Sequence, residues 1–500
     1  MNQIDNKQNV EVQVYSFKEF FTSKAIYPVG IDSYQRPYVW SKSKVQELIK
    51  DLNEYLNKPN DLQYYMGNIL LHQNNQKQKL FIIDGQQRLT TLCTLYYVLN
   101  NGLMNNGKMA LEYHSPISAK NIVNTRDLFQ KIKEDWKDKA DFLFNNIQLT
   151  FITTLSEDLA FTFFDTQNNR GVKLNPTDLL KAYHLRAIGN AEYVNIQINC
   201  AFRWEKIQDS KTLFGQKKDF IAELFHQFIW RSRCWNGQKV IYRESDNDVL
   251  NEFQKKTIEQ LQPDTVPLYP NTNNSMATAL QLKSKHQFTL YPATIEISNT
   301  SAFLPFTLRQ PISEGLGFFL FAEKYADLVK ILFINKDISD VEIKSVRQFY
   351  NQVLQHISLY LKELYLLALV MYFDKFGSKR LLEFTLCFDH VIGALRLEKY
   401  YIFKEAPLKF IKETDNNIFD VISQSFRPDE VIHFLIDLKS VGQNIEIAKV
   451  YAKKDLPENG VRGNYKDNLF KYYGKDSFLD KENWITNNFL NTKLQWASNH

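Results

Sequence analysis

Residues Met66 to Gln86 restrict this chain more than any other stretch. Met66 to His72 alternates in the manner of a strand, Gln73 to Gln78 is a polar turn, and Lys79-Leu80-Phe81-Ile82-Ile83 reads as a second strand ending at Asp84-Gly85. From Gln86 onward the apolar period changes, and Leu89, Leu92, Cys93, Tyr96 and Leu99 fall on one helical face. A hairpin that feeds straight into a helix predicts an α+β core for this part of the chain.

The remainder reads as mainly helical. The chain has 500 residues, of which only 17 are Gly and 14 Pro, while 37 are Phe and 26 Tyr; this favours long helices packed through aromatic faces over a turn-rich sandwich. With 44% apolar and 23% charged residues, wholesale disorder, a collagen-like repeat and a small disulfide scaffold are excluded. The length predicts more than one core, which we divide as 1–190, an α/β domain, 191–335, a helical region with a long loop from Gln262 to Ser275, and 336–500, a helical C-terminal domain.

The longest apolar run, Leu364 to Phe373, falls well short of the roughly 20 residues that span a bilayer, and reads as a buried core helix. The first ten residues, Met1 to Val10, have no apolar signal core, so a cytoplasmic location is expected. Cys93, Cys200, Cys234 and Cys387 show no C-x-x-C spacing, which points to separate reduced thiols rather than a zinc finger. The charge balance, 61 basic against 56 acidic residues, gives +5, so any surface for a polyanion must be local.

Three polar segments can carry chemistry. Tyr34-Gln35-Arg36-Pro37-Tyr38-Val39-Trp40 is a loop or strand end, because Pro37 disfavours helix at Arg36. A helix follows near Lys44, with Ser43 and Gln46 spaced as a capping box, so its N-terminal end and Arg36 together suit an anion; a surface loop with a core Trp explains the same residues. Asp84-Gly85-Gln86-Gln87-Arg88 occupies the strand-to-helix turn, where Gly85 permits close approach of a ligand, helix amides point outward and Arg88 offers a guanidinium fork. The same turn is also compatible with an ordinary connection in which Asp84 is the N-cap and Arg88 is solvated. Finally, Ile147 to Thr154 is a strand, Ser156 caps a helix through about Asp165, Asn168 to Gly171 is a turn, and Asn175-Pro176-Thr177-Asp178 opens another helix. Arg170 on that turn can reach a phosphate or pair with Asp178.

Taken together, the first two segments and a third, Phe164-Asp165-Thr166-Gln167-Asn168-Asn169-Arg170-Gly171-Val172-Lys173-Leu174 followed by Asp178-Leu179-Leu180-Lys181, resemble the N-terminal domain family of the GmrSD-type restriction endonucleases. Gln167 stands where that family commonly has Leu. The resemblance covers Ala25 to about Leu185 and implies a core similar to the ParB and sulfiredoxin fold. It further implies nucleoside triphosphate hydrolysis coupled to recognition of foreign, often modified, DNA in phage defence. On that reading Asp84, Gln87 and Arg88 are catalytic, Asp84 holds Mg2+, and Tyr34, Gln35, Arg36, Gly85, Gln86, Asn169 and Arg170 bind the nucleotide.

No Walker A pattern occurs, which excludes an ordinary P-loop ATPase. Relatives carry or recruit an HNH nuclease, yet Asp389-His390 lacks the partners such a site needs and sits in an apolar helical context. Pro428-Asp429 with Asp437-Leu438-Lys439 fails likewise, since Val431, Ile432, Leu435 and Leu438 share one helical face. Between Lys449 and Asp476, Lys453, Lys454, Arg462 and Lys466 are interleaved with tyrosines, a mixture that grips phosphates and stacks bases or, alternatively, forms a solvated face anchored by its aromatics. The expected protein is therefore an NTP-hydrolysing, DNA-sensing component of phage defence with a separate nuclease, and oligomerisation is compatible with it. The alternatives are a ParB-like adaptor without turnover and a self-contained nuclease.

Overall fold

The hairpin lies in the middle of a mixed five-stranded sheet. In the computed structural model the described residues are 10–24, 27–31, 35, 37–57, 63–104, 108–109, 111–113, 115–156, 159–160, 175–189, 193–215, 219–259, 262–269, 278–283, 287–292, 301–442, 444–453 and 458–499. The chain divides into two compact units, Met1–Glu205 and Lys206–His500.

In the first unit the elements run β1 (Val10–Ser16), β2 (Val29–Gly30), α1 (Lys42–Leu56), β3 (Tyr64–Asn74), β4 (Lys79–Asp84), α2 (Gln86–Asn100), α3 (Pro116–Gln130), α4 (Ala140–Asn146), β5 (Ile147–Thr154), α5 (Pro176–Ala187) and α6 (Val194–Gln208). The strand order is β1-β5-β3-β4-β2. β1 with β5 and β3 with β4 are antiparallel, whereas β3 with β5 and β2 with β4 are parallel. Its core joins Ile69, Leu71, Leu80 and Ile82 of the sheet to Leu89, Leu92 and Leu95 of α2 and to Val45, Leu48 and Leu52 of α1. The local signals behave as expected with one shift. Ser41, not Ser43, caps α1, its Oγ accepting from the Lys44 amide at 3.3 Å. Asn175 caps α5 and Ser156 accepts from the Leu159 amide, but residues 161–174 lie outside the described residues.

The second unit contains α7 (Leu316–Phe333), α8 (Val341–Gln352), α9 (Leu359–Phe376), α10 (Leu381–Glu398), α11 (Pro428–Asp437), α12 (Gly460–Tyr473) and α13 (Asn487–Asn499). It is not purely helical: Thr278–Lys283 and Gln287–Pro292 pair as an antiparallel hairpin inside the stretch expected to be helix and loop. The run Leu364 to Phe373 lies in α9, which is buried around its whole circumference, as a helix apolar on all sides must be. Among the described residues no helix is long and apolar enough to cross a membrane.

Asp389, from the rejected nuclease pattern, is fully buried in α10, where its Oδ1 accepts a hydrogen bond from Tyr465 Oη at 2.8 Å. Burial pushes its carboxyl up from 3.8 to about 6, with Lys481 and the Tyr465 bond opposing. The neutral form is therefore favoured in the fold, so its contribution to stability is complete below about pH 4 and is lost as pH rises through about 6. A rise from 3.8 to about 6 corresponds to roughly 3 kcal/mol. Burial lowers neighbouring His390 to about 3, which acts in the opposite direction, so the comparison must be made against a variant that removes Asp389 alone. Urea unfolding of Asp389→Asn and of the parent should show the variant gaining relative stability between about pH 4 and 6 and holding that gain above it. A pH-independent difference would refute the buried acid.

Candidate functional site

Asp84 ends β4 and Gly85 turns the chain into α2. Gly85 is itself the N-cap, at φ 87° and ψ 5°, so Asp84 does not cap the helix. A Cβ at this position would lie 2.4 Å from Ile69 Cδ1 and 2.9 Å from the Asn68 carbonyl oxygen. On the side where a Cβ would project, the bare Cα faces the backbone of β3, so the glycine lets helix and strand touch.

The sheet is irregular at this point. The β3–β4 register shifts between Leu70 and Leu71, and the β3–β5 register shifts between Tyr65 and Asn68, irregularities of the kind that re-aim side chains near sites. Gly67, at φ 103°, lies within the second shift, and the Arg88 guanidinium packs over it. Arg88 Nη2 donates to the Asn68 carbonyl at 2.7 Å and stands 3.6 Å from Asp84 Oδ2. The Asp84 and Arg88 side chains are 39% and 32% exposed, so their ion pair is worth at most about 1 kcal/mol and yields readily to a ligand. Arg88 Nε is buried with no partner among the described residues.

The two glutamines of the turn act differently from the charges beside them. Gln87 is buried, and its amide clamps the preceding loop: Oε1 accepts from the Val39 amide at 2.8 Å while Nε2 donates to the Pro37 carbonyl at 3.0 Å. Tyr38, fully buried between these contacts, meets Thr91 Oγ1 at 2.8 Å and Thr125 Oγ1 at 3.1 Å, and its amide donates to Ser118 Oγ at 2.8 Å. Gln86 Nε2 donates to Tyr113 Oη at 3.1 Å, which also meets Thr90 Oγ1 at 2.5 Å. Burial pushes the Tyr113 hydroxyl up to about 12, so it remains a neutral hydrogen-bonding group.

Pro37, Ser118 and Tyr113, held by these contacts, help to wall a cavity of about 430 Å3, within the range of small-molecule sites. Gln35, Pro37, Phe81, Tyr113, Lys79 and Glu205 contribute to its lining. Gln35 Nε2 also donates to the Ile83 carbonyl at 3.3 Å, tying the cavity wall to the strand end that carries Asp84. Glu205, buried on α6, accepts from Lys181 Nζ of α5 at 2.9 Å through Oε1, while its Oε2 is buried and without a hydrogen-bond partner among the described residues. Asp84 and Arg88 are not among the lining residues. Of the residues expected from the sequence, Gln35 lines the cavity while Gln86 and Gln87 hold its wall from behind; Tyr113, Glu205 and Lys181 were not expected as a set. For the clamp around Tyr38 one signal was available: Gln87, Thr91 and Thr94 repeat polar groups at helical spacing along α2, and all three are buried.

Tyr34, Arg36, Asn169 and Arg170 lie outside the described residues, as does Lys454. Of the late basic cluster, Lys453 is paired with Glu398, Lys466 Nζ lies 3.4 Å from Asp467, and Arg462 donates to the Leu397 carbonyl. Tyr451, Tyr465, Tyr472 and Tyr473 are buried and so unavailable for stacking on bases, which favours the anchored, solvated face.

Residues 17–185 match the family model described as the GmrSD restriction endonuclease, N-terminal domain. Residues 196–449 match the model of a family of unknown function, DUF7834. No curated protein matches the chain.

Proposed function

From a chain that belongs to the DUF7834 family of unknown function and carries a GmrSD restriction endonuclease N-terminal domain ahead of it, we propose a nucleotide-dependent DNA-sensing component of a bacterial type IV restriction or phage-defence system, acting with a separate HNH-type nuclease. The observation that carries the nucleotide reading is the cavity whose walls are fixed by Gln86 and Gln87 of the Asp84–Arg88 turn.

The nucleobase would occupy this cavity, with Phe81 offering a ring face and Glu205 Oε2 an acceptor for a base N–H. The phosphates would extend past Gln35 toward the amides at the start of α2, where Arg88 can leave its weak pair with Asp84 and turn to the developing phosphate charge. Asp84, with a half-open carboxylate and one distant cation, fits a Mg2+ ion that keeps several waters and shares phosphate oxygens; when bound, Mg2+ would neutralise phosphate charge. A second reading, a ParB-like core that binds nucleotide without turnover, is favoured by the hydrogen bond that holds Arg88 to the Asn68 carbonyl.

The test is calorimetric binding of ATP, GTP, CTP and UTP, together with phosphate release in Mg2+. Ala201, buried and lining the cavity, is replaced by Phe to fill it, which should weaken nucleotide binding at least about tenfold. Arg88→Ala should lower phosphate release about 100-fold with binding largely kept. Binding without release selects the second reading, and full-strength binding by Ala201→Phe removes the nucleotide from this cavity.

A further inference from the structure

Between α10 and the helix at Ala406–Glu413 the chain places Tyr400, Tyr401 and Phe403 in solvent, at 70%, 69% and 67% exposure. Three large rings within four residues is a concentration of exposed apolar surface that marks a binding site more often than chance surface. The loop is held rigidly. Arg396, 2% exposed, donates to the carbonyls of Lys399 and Tyr400, Arg243 Nε donates to the Lys404 carbonyl at 3.1 Å, and the Ala406 amide donates to the Phe403 carbonyl at 3.0 Å. The rings form a continuous row: Tyr400 and Tyr401 centroids are 4.7 Å apart and nearly perpendicular, and Tyr401 and Phe403 are 6.1 Å apart.

Its surroundings are cationic. The Arg462 guanidinium lies 5.9 Å from the centre of the Tyr400 ring. Lys399 and Lys404 flank the rings in sequence and are exposed. Lys453, half exposed, sits at the same end of α10 through Glu398. The acids are fewer, since Glu398 is committed to Lys453 and Glu405 stands 3.9 Å from Lys404. Rings that accept any base face, set among cations that track a phosphate backbone, are the chemistry of single-strand capture. A duplex hides its base faces, so a stacking row gains nothing from it. A protein partner would use the same rings but has no need of the surrounding cations.

We infer that Tyr400, Tyr401 and Phe403, with Lys399, Lys404 and Arg462, form a platform for unpaired bases of single-stranded DNA. It rests on the DNA-sensing reading and adds to it where, and in what strand state, the DNA is held. This also relocates the aromatic contribution within the late basic region: Arg462 and Lys453 remain at the surface patch, while the stacking rings come from the 400–403 loop and not from the buried tyrosines of α12.

The experiment uses the full chain and a fluorescein-labelled 20-mer, offered single-stranded and as a blunt duplex at two salt concentrations, read by anisotropy. The variants are Tyr400→Ser with Tyr401→Ser and Phe403→Ser combined, and Tyr401→Ala alone in case the triple change impairs folding, which circular dichroism checks. The triple variant should lose at least tenfold in single-strand affinity with duplex affinity unchanged, and Tyr401→Ala a smaller part of it. Unchanged single-strand affinity overturns the platform. Loss of concentration-dependent self-association in the variant, with DNA binding intact, assigns the rings to a second copy and also overturns it. If the parent chain binds neither form of DNA, the DNA-sensing reading itself fails; duplex binding without a contribution from the loop rejects only the platform.

Discussion

Replacing Gly85 by Ala is expected to unfold the N-terminal sheet locally, at a cost of about 3 kcal/mol or more. Two terms add. The backbone at φ 87° is disfavoured for any residue with a Cβ by roughly 1–2 kcal/mol. The new methyl would also sit 2.4 Å from Ile69 Cδ1 and 2.9 Å from the Asn68 oxygen, and overpacking of this kind typically costs about 1–3 kcal/mol. Ile69 is fully buried and the Asn68 carbonyl is held by Arg88, so neither neighbour has an easy way to move. Amide exchange measured by mass spectrometry should show faster exchange across residues 64–100 in the variant. Protection equal to the parent's would mean that the strand yields and that the glycine is there for some other reason. Because the Arg88 clamp shares Asn68, the same variant should also shift the Arg88 guanidinium, and on the proposed nucleotide-hydrolysing reading this would depress phosphate release even where it remains folded.

The second large effect is expected at Arg231. Its side chain is 2% exposed; Nε and Nη2 donate to Glu244 at 2.9 and 2.7 Å, and Nη1 donates to Glu363 at 2.9 Å. Glu244 and Glu363 are themselves only 8% and 6% exposed, and Arg243 gives Glu363 a second donor at 3.1 Å. Arg231→Met removes the cation and leaves two desolvated carboxylates, of which Glu244 has no other ion-pair partner among the described residues. Breaking a buried pair on one side costs about 3–5 kcal/mol, because the surviving charge keeps its desolvation penalty without its partner. Urea denaturation should show that loss. Combining Arg231→Met with Glu244→Gln and Glu363→Gln removes the stranded charges and should recover most of it. If the triple variant is no more stable than the single one, packing of the long Arg231 side chain, which also lies 5.0 Å from the Trp235 ring centre, and not charge, was the larger contribution.

Both experiments mark where reading along the chain stops being sufficient. Gly85 was identifiable as a hinge because a strand pattern meets a helix pattern there, yet the object its bare Cα meets, the segment Asn68–Ile69 between two register shifts, is fixed by strand pairing sixteen or more positions away. Gln86 and Gln87 were legible as polar residues at the start of a helix. That they point inward to hold Tyr113 and the Pro37–Val39 segment follows from packing α2 against α3, which brings Tyr38 between Thr91 and Thr125. The Glu205–Lys181 pair had no signature, because two oppositely charged residues on separate helices announce nothing until the helices pack together.

Sequence alone determined the hairpin, the helix that follows it, the cap at Asn175, the burial of the Leu364–Phe373 run, and the family resemblance of the N-terminal region. These depend on interactions between residues a few positions apart, or on hydrophobic periods that persist whatever lies opposite. Only the tertiary structure decided the strand order β1-β5-β3-β4-β2, the cavity lined by Gln35, Phe81, Tyr113 and Glu205, the burial of the α12 tyrosines and the exposure of Tyr400, Tyr401 and Phe403. An aromatic side chain carries the same hydrophobic drive at every position, and whether it is satisfied depends on which distant surface the fold brings to cover it.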